Sequence, residues 1–278
     1  MKLGMNIRNW GPTAQPDFLR RCAEAADRSS LDAIWFNDHI GLPPAIASND
    51  YGIADEMGAI IDPLALASYL AAVTHRIHFG TAVLVLPYRP AILTSKLLAS
   101  IQILSGNRFL LGVGPGYLVE EFKALGVPRS RRGRITDETL ALIHQSSENP
   151  LIEANGQPLL LRPTLRRPPI YVGGKPAVAI PRALQYADGW LPVSMTPDEL
   201  APHIAALQRQ AQERGRGPME VIAMKTLPLA DIHAACALAR HYQDVGVSHL
   251  VHTQGYESPL HYAEVVNTMD QVIRAAIA

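Results

Sequence analysis

The chain has few charged residues for its size, and their charges cancel. Asp, Glu, Lys and Arg make up 18% of its 278 residues, against roughly 25% in an average globular protein. The 25 basic residues are balanced by 25 acidic ones, so the chain has no net positive field to attract nucleic acid. Apolar residues make up 48% of the chain, which excludes intrinsic disorder and provides for a large core. We therefore expect a globular protein with no nucleic-acid partner.

Cysteines and long apolar runs are also scarce. Cys22 and Cys236 lie far apart, which gives neither a disulfide framework nor metal-ligand spacing and favours a cytoplasmic location. No other cluster of ligands suggests a metal site. The longest stretch without a charge, residues 63–75, has thirteen residues, whereas a membrane-spanning helix needs roughly 18. We therefore predict no contact with a membrane, and the first residues show no signal-peptide pattern.

Short apolar segments alternate with Ala- and Leu-rich segments along the chain. The short segments predict strands at residues 3–7, 32–36, 77–85, 109–113, 169–172, 189–193, 221–226 and 248–252. The longer segments predict helices at residues 16–28, 63–74, 90–104, 135–145, 176–187, 197–214, 231–245 and 259–275. Six of these helices begin with proline, which suits the first helical turn. The alternation predicts an α/β fold, a single-domain (β/α)8 TIM barrel over residues 1–278, with a doubly wound sheet as the alternative.

Three longer connections interrupt this rhythm, at residues 37–61, 114–134 and 146–167. Long connections in a compact domain usually act as binding loops or lids. The second contains four arginines between Arg129 and Arg134, which suit either a solvated loop or closure over an anionic cofactor. The third is rich in proline, and its sequence is compatible with ordered coil, a small hairpin or partial disorder.

Polar residues or glycines follow every predicted strand, at the end of the barrel where active sites lie. Asp38 and His39, after the second strand, are the clearest candidate pair for catalysis. A neighbouring carboxylate can fix the tautomer of a histidine or raise its pKa, which suits proton transfer. The alternative is that His39 only caps the loop that follows.

Glycines follow the fourth and fifth predicted strands. Gly112, Gly114 and Gly116 suit close approach to a planar ring or a phosphate, and tight turns that need positive φ are an equal alternative. Gly173 and Gly174 precede a helix that begins with proline, and a helix N-terminus favours anions.

Six segments stand in a fixed order along the chain: DAIWFNDH (32–39), IHFGTAVLVLPYRP (77–90), LSGNR (104–108), LGVGPG (111–116), EFKALG (121–126) and ADGW (187–190). Together they resemble the luciferase-like monooxygenase superfamily, most closely its short branch that uses the deazaflavin coenzyme F420. The resemblance covers most of residues 1–195. It implies a barrel that holds a flavin or deazaflavin ring across its strand ends.

The resemblance also assigns residues to this ring. It implies that Asp38 and His39 contact the cofactor and that His39 relays a proton. It places a bulge with a non-prolyl cis peptide at Ala82–Val83, where the bulge presses on one ring face. The remaining cofactor-binding candidates follow later strands: Gly114, Gly116 and Tyr117 after the fourth, Gly173 and Gly174 at the phosphate end, and Ser194 after the sixth.

One departure concerns the proton donor. Some deazaflavin dehydrogenases of this superfamily carry a glutamate where this chain has Tyr117, while Glu120 and Glu121 stand further on, where Glu121 is expected to start a helix. His39, Asp38 and Tyr117 are therefore the candidate catalytic residues, with His252 as a further acid.

The sequence thus predicts an oxidoreductase that acts on a small organic substrate. Coenzyme F420 is favoured over FMN, and the reaction is hydride transfer or oxygen activation, with a flavin or F420 reductase as electron source. One alternative is a non-catalytic flavin-binding or partner subunit, which Tyr117 favours. Another is a cofactor-free aldol-type barrel with Lys225 as catalytic lysine. The nearly uncharged helices 63–74 and 90–104 predict a homodimer interface, because a barrel needs a polar outer face unless another chain covers it.

Overall fold

Parallel strands close into a barrel in the computed structural model, which describes residues 1–43 and 59–277. The strands, in chain order, are β1 (Lys2–Asn6), β2 (Trp10–Gly11), β3 (Ala33–Phe36), β4 (Ala59–Ile60), β5 (His78–Thr81), β6 (Leu84–Val85), β7 (Phe109–Gly114), β8 (Leu151–Ala154), β9 (Gln157–Leu160), β10 (Ile170–Gly173), β11 (Gly189–Leu191), β12 (Glu220–Lys225) and β13 (His249–His252). Around the barrel the order is β1, β3, β5, β7, β10, β11, β12 and β13, and β13 pairs with β1. The predicted barrel is confirmed, and the doubly wound sheet is wrong because no edge is left between β7 and β10.

Helices cover the outside of the barrel. They are α1 (Pro16–Arg28), α2 (Pro63–Val73), α3 (Ala91–Ser105), α4 (Val119–Ala124), α5 (Arg132–Glu148), α6 (Pro176–Tyr186), α7 (Pro197–Glu213), α8 (Ile232–Asp244), α9 (Pro259–Thr268) and α10 (Arg274–Ala276), with a π-helical turn joining the last two. Proline occupies the start of α1, α2, α6, α7 and α9, whereas Pro90 precedes α3 as its N-cap. Within the described ranges, none of the helices has the length and apolar character needed to cross a membrane.

The long connections contain secondary structure that the sequence analysis did not assign. Connection 114–134 holds α4, and α5 begins at Arg132, before the predicted start at residue 135. In connection 146–167, β8 and β9 form an antiparallel hairpin, one of the forms the sequence left open. Asn155 and Gly156 connect these strands with φ of 53° and 74°, as a type I′ turn requires. Residues 44–58 of the first connection lie outside the described part.

Two apolar layers make up most of the core. The larger layer lies between the strands and the helices, and a smaller cluster fills the inside of the barrel. The inner cluster consists of Ala33, Trp35, Leu110, Tyr171, Leu191, Ile222 and Val251. Gly80 makes room for it, since a Cβ there would lie 2.6 Å from the Trp35 ring. Side chains of the described residues thus fill the interior, and the mouth above them is the end where (β/α)8 barrels bind ligands.

Polar residues close the opposite end of the barrel, where the strands begin. The Glu220 carboxylate accepts hydrogen bonds from the Tyr171 hydroxyl at 2.6 Å and from the Lys2 ammonium at 3.1 Å, and it lies 3.2 Å from His249 Nε2. The hydrogen bond with His249, helped by those from Tyr171 and Lys2, outweighs burial and holds the pKa of Glu220 well below its ordinary value. This end of a (β/α)8 barrel contributes to stability rather than to catalysis.

Candidate functional site

The strand predicted at residues 77–85 is interrupted at the barrel mouth. Phe79 stands opposite Phe109, but Leu84 stands opposite Val113, so this strand carries one residue more than β7 over the same distance. An extra residue on one strand is a β-bulge. The Ala82–Val83 peptide bond within it is cis, which confirms the prediction at this position.

Glycines on the neighbouring strands leave the space that this bulge occupies. A Cβ on Gly114 would lie 2.6 Å from Val83 Cγ2, and a Cβ on Gly173 would lie 2.6 Å from Val83 Cγ1. A Cβ on Gly112 would lie 2.0 Å from the Thr81 carbonyl oxygen. These glycines thus make room for the bulge, a role that the sequence interpretation of ring approach or positive φ did not include.

A tight turn requires only one glycine of this cluster. Gly116 has φ of 76°, and a Cβ there would also meet the Val85 side chain at 2.6 Å. The tight-turn interpretation therefore applies to Gly116, while Gly112 and Gly114 are explained by packing against the bulge.

The bulge forms an apolar floor at the mouth. Ala82 and Val83 are half-buried and pack on the inner cluster together with Met224. The Asn37 side-chain amide donates a hydrogen bond to the Ala82 carbonyl at 2.9 Å, which ties the floor to the end of β3. An apolar surface of short side chains suits one face of a planar ring.

Asp38 is engaged with residues other than His39. Its carboxylate accepts hydrogen bonds from both terminal nitrogens of Arg89, at 2.6 and 2.8 Å, and from the Val85 backbone N–H at 2.8 Å. Arg89 also pairs with Asp62, whose other carboxylate oxygen caps α2. The expectation that Asp38 holds the neighbouring imidazole is therefore wrong, because its oxygens hold the segment that follows the bulge.

The carboxylate that contacts His39 belongs to Glu121. His39 Nδ1 lies 3.2 Å from Glu121 Oε2 and 3.3 Å from Oε1. Glu121 also accepts hydrogen bonds from the Tyr88 hydroxyl at 2.6 Å, from the Ile40 N–H at 2.6 Å and from the Gly41 N–H at 3.3 Å. Its side chain is only 2% exposed. Glu121 does lie in the first turn of α4, as expected, but its carboxylate points inward to His39.

Burial and hydrogen bonding act in opposite directions on this network. Burial alone would raise the pKa of Glu121, but the hydrogen bonds with His39, Tyr88 and Ile40 outweigh it and hold the pKa below its ordinary value. Burial, together with Glu121, raises the pKa of the Tyr88 hydroxyl. Glu121 is therefore ionised and Tyr88 protonated near neutral pH.

Of the other candidate acids, Tyr117 adjoins this network and His252 does not. The Tyr117 ring meets the His39 ring edge-on, with centroids 6.1 Å apart. His252 is fully buried, its Nδ1 accepts the Leu227 N–H at 3.1 Å, and its Nε2 lies 3.0 Å from the Gln254 side-chain oxygen. Burial lowers the pKa of His252. Both ring nitrogens of His252 are therefore engaged, and its role as a further acid stays a prediction.

The predicted phosphate end is only partly available to an anion. The Gly174 N–H donates to the Leu191 carbonyl at 3.1 Å, and Pro176, which begins α6, has no N–H. Ser194 is exposed and left-handed, with φ of 51°, after β11. The Gly174 N–H is thus engaged and Gly173 makes room for Val83, so phosphate binding by Gly173, Gly174 and Ser194 stays a prediction.

Tyr88, Arg89 and Glu121 were not assigned roles from the sequence. All three stand inside the segments that carry the resemblance. Nothing in their spacing shows that Arg89 pairs with Asp38 or that Glu121 reaches His39 across 82 positions. The available signal was Arg89, which is the one Asp, Glu, Lys or Arg in the segment 77–90.

The structure is thus a closed (β/α)8 barrel in which the strand made of β5 and β6 carries a bulge. The family model described as luciferase-like monooxygenase matches residues 1–261, and the chain belongs to this family. It is 36% identical over 217 residues to an uncharacterized protein of Mycobacterium tuberculosis, covering 73% of this chain and 74% of that protein. It is 28% identical over 228 residues to the phthiodiolone/phenolphthiodiolone dimycocerosates ketoreductase of Mycobacterium kansasii, covering 75% of this chain and 62% of the ketoreductase.

Solved structures share the fold at low sequence identity. The monooxygenase RslO1 from Streptomyces bottropensis superposes with a TM-score of 0.83 at 16% identity, covering 100% of both chains. An F420-dependent secondary alcohol dehydrogenase, solved with an F420–acetone adduct, has a TM-score of 0.78 at 15% identity, covering 100% of this chain and 99% of that one. The oxygenating constituent of 3,6-diketocamphane monooxygenase from Pseudomonas putida, solved with FMN, has a TM-score of 0.79 at 13% identity, with the same coverage.

Proposed function

We propose that the protein is an oxidoreductase that binds coenzyme F420, or FMN in its place, and interconverts an alcohol and a carbonyl compound. The observation that carries this proposal is an apolar bulge at the barrel mouth close to a histidine with an available ring nitrogen. Within residues 1–43 and 59–277, His39 Nε2 has no hydrogen-bond partner, whereas Nδ1 contacts Glu121. The names of the ketoreductase relative and of the alcohol dehydrogenase neighbour support this class of reaction.

The residues at the mouth fit a flavin or deazaflavin ring. Ala82 and Val83 offer a half-buried apolar surface with only short side chains, and the Asn37 amide fixes the Ala82 carbonyl. Ser194 and the turn after Gly173 would hold the phosphate end. Because the sequence segments resemble the F420 branch of the family, we place F420 before FMN.

The residues of this chain have separate tasks in the proposed reaction. When bound, the deazaflavin or flavin supplies the ring position that accepts or donates a hydride. Ala82 and Val83 support one ring face and keep water away from it. Asp38, through Arg89 and the Val85 N–H, holds the segment that carries the bulge. His39 Nε2 accepts the hydroxyl proton of an alcohol or returns it to a carbonyl oxygen.

Binding and turnover experiments test the proposal. The purified protein is titrated with F420 and with FMN, following the fluorescence of each, and is then mixed with oxidised F420 and a series of secondary alcohols. We expect tight binding of F420 and loss of its visible absorbance when alcohol is added. Tight FMN binding with oxygen consumption would identify a monooxygenase instead. Binding without any turnover beyond that of the free cofactor would overturn the enzyme proposal.

Two partners complete the proposal. When the reaction runs toward the alcohol, a separate flavin or F420 reductase supplies the reduced cofactor. A second copy of the chain covers α2 and α3, which pack side by side on the barrel. Helix α2 has no charged residue and α3 has only Lys96. The two helices expose large apolar side chains, namely Tyr69, Leu93, Leu97, Ile103 and Leu104.

A further inference from the structure

The Glu121 carboxylate accepts hydrogen bonds from two segments of the fold, the loop after β3 and the turn after the bulge. Oε1 receives the Ile40 N–H at 2.6 Å and the Gly41 N–H at 3.3 Å. Oε2 receives the Tyr88 hydroxyl at 2.6 Å. His39 Nδ1 lies 3.2 Å from Oε2, an oxygen that already accepts the hydrogen bond from Tyr88. An ionised carboxylate can only accept, and this contact is therefore a hydrogen bond only when Nδ1 carries the proton.

A neutral imidazole has one N–H and one bare nitrogen. If Nδ1–H of His39 is directed at Glu121, then Nε2 carries the lone pair. We propose that Glu121 is the positioning residue that keeps the proton of neutral His39 on Nδ1 and so presents Nε2 to the mouth as a proton acceptor. The tautomer follows from the contacts of the protein alone, while its use in catalysis rests on the proposed function.

Packing around Glu121 holds the carboxylate in one position. The Tyr88 ring packs edge-on against Phe122, with centroids 5.2 Å apart, and both rings belong to a small buried cluster with Val85. Tyr88 thus reaches Glu121 from a fixed ring. A carboxylate held by a neighbouring ring and by two backbone amides can fix the imidazole that it contacts.

Replacing Glu121 with glutamine tests this role because an amide has one acceptor and one donor end. The Ile40 and Gly41 N–H groups require the amide oxygen at the position of Oε1. The amide nitrogen then takes the position of Oε2, where the Tyr88 hydroxyl rotates to accept from it. His39 Nδ1 lies 3.2 Å from this nitrogen position and 3.3 Å from the amide oxygen, which already accepts two backbone N–H groups. We therefore expect Nδ1 to accept from the amide nitrogen and the proton of His39 to move to Nε2. Glu121→Gln therefore reverses the tautomer without a large change in shape.

The experiment is nitrogen NMR of histidine-labelled, cofactor-free protein at a pH where imidazoles are neutral, with His39→Ala assigning the signal. We expect the Nδ1–H form in the wild type and the Nε2–H form in Glu121→Gln. Glu120→Gln, on the exposed neighbour, and Tyr88→Phe, which keeps the carboxylate, should both retain the wild-type form. A wild-type signal of the Nε2–H form, or an unchanged tautomer in Glu121→Gln, would overturn the proposal. A reversed tautomer in Tyr88→Phe would do the same.

A kinetic readout connects the tautomer to catalysis. In Glu121→Gln we expect kcat for alcohol oxidation to fall about tenfold or more, with KM changed much less, because the proton acceptor is lost. An unchanged kcat alongside a reversed tautomer would overturn the catalytic use of Nε2. If the wild type shows the expected tautomer but turns over no alcohol, the proposed function fails while the role of Glu121 in fixing His39 stands.

Discussion

Asp38 and Arg89 form a buried ion pair with two short contacts, 2.6 and 2.8 Å, at the mouth of the barrel. The Asp38 side chain is fully buried, and Arg89 is 12% exposed. Arg89 follows the short turn after the bulge, so the pair joins the end of β3 to the segment after the cis peptide. Asp38 therefore shapes the site without contacting the imidazole beside it in sequence.

The first prediction concerns this pair. Asp38→Asn removes the fully buried carboxylate of this pair and leaves Arg89 its contact with Asp62, which is 46% exposed. We expect the free energy of unfolding to fall by about 3 kcal/mol. Urea denaturation measures this change. The control is Asp17→Asn, which breaks an exposed pair with Arg20 and should cost about 1 kcal/mol or less. Equal stabilities of the two variants would show that the Asp38–Arg89 pair does not support the mouth.

The second prediction concerns Gly114, which makes room for the bulge. Gly114→Ala places a Cβ 2.6 Å from Val83 Cγ2, and overpacking of this kind costs about 1–3 kcal/mol. Val83→Ala removes the colliding atom, so the double variant should recover most of the loss. A double-mutant cycle by urea denaturation gives the coupling between the two residues. Gly217→Ala is the control, since open space surrounds Gly217. Additive losses in the cycle would contradict the proposed packing.

The architecture could be predicted from the sequence because it depends on local signals. Short apolar segments, Ala- and Leu-rich helical segments and prolines at helix starts depend on neighbouring residues. They predicted the barrel, with the bounds of α1 correct to the residue. The hairpin also had such a signal in the Asn155-Gly156 turn. It was left open because the surrounding prolines also suit coil.

The partners within the site could not be predicted in the same way. Asp38 and His39 are adjacent in sequence, and adjacency suggested a pair. At the end of β3, however, their side chains meet different elements, since Asp38 reaches Arg89 and His39 reaches Glu121. Likewise, Gly114 and Gly173 make room for the side chain of Val83, which lies in the bulge between β5 and β6. Such relationships depend on how the closed barrel aligns its strand ends.

The third prediction tests the catalytic role of His39. His39→Ala should weaken cofactor binding or slow turnover more than about tenfold, because the proton acceptor at the mouth is removed. Fluorescence titration and steady-state kinetics measure the two effects. His233→Ala, at an exposed position on α8, is the matched control. Wild-type binding and turnover in His39→Ala would mean that His39 only caps its loop.

The fourth prediction is a pH dependence of stability from the closed end of the barrel. The hydrogen bond with His249, helped by Tyr171 and Lys2, lowers the pKa of Glu220 in the folded protein below its ordinary value of 4.5. Its stabilisation is therefore present above about pH 4.5 and is lost as the pH falls toward the lower folded value. We expect wild type to exceed Glu220→Gln in unfolding free energy at neutral pH, with the difference shrinking below about pH 4.5.

Urea denaturation of both proteins at several pH values measures this difference. Glu213→Gln, at an exposed position near the end of α7, is the control and should parallel the wild type at every pH. A difference between wild type and Glu220→Gln that stays constant down to about pH 3 would show that Glu220 does not carry this dependence.

The fifth prediction concerns the apolar face of α3. Leu97 and Leu104 are 41% and 64% exposed on a helix with a single charged residue, and a second copy of the chain would bury them. We expect the wild type to sediment as a dimer in analytical ultracentrifugation. Leu97→Glu should shift it to a monomer, because a charge would be buried without a partner. Leu260→Glu, at a 67% exposed position on α9, should remain dimeric. A monomeric wild type, or a dimer that survives Leu97→Glu, would contradict an interface on α3.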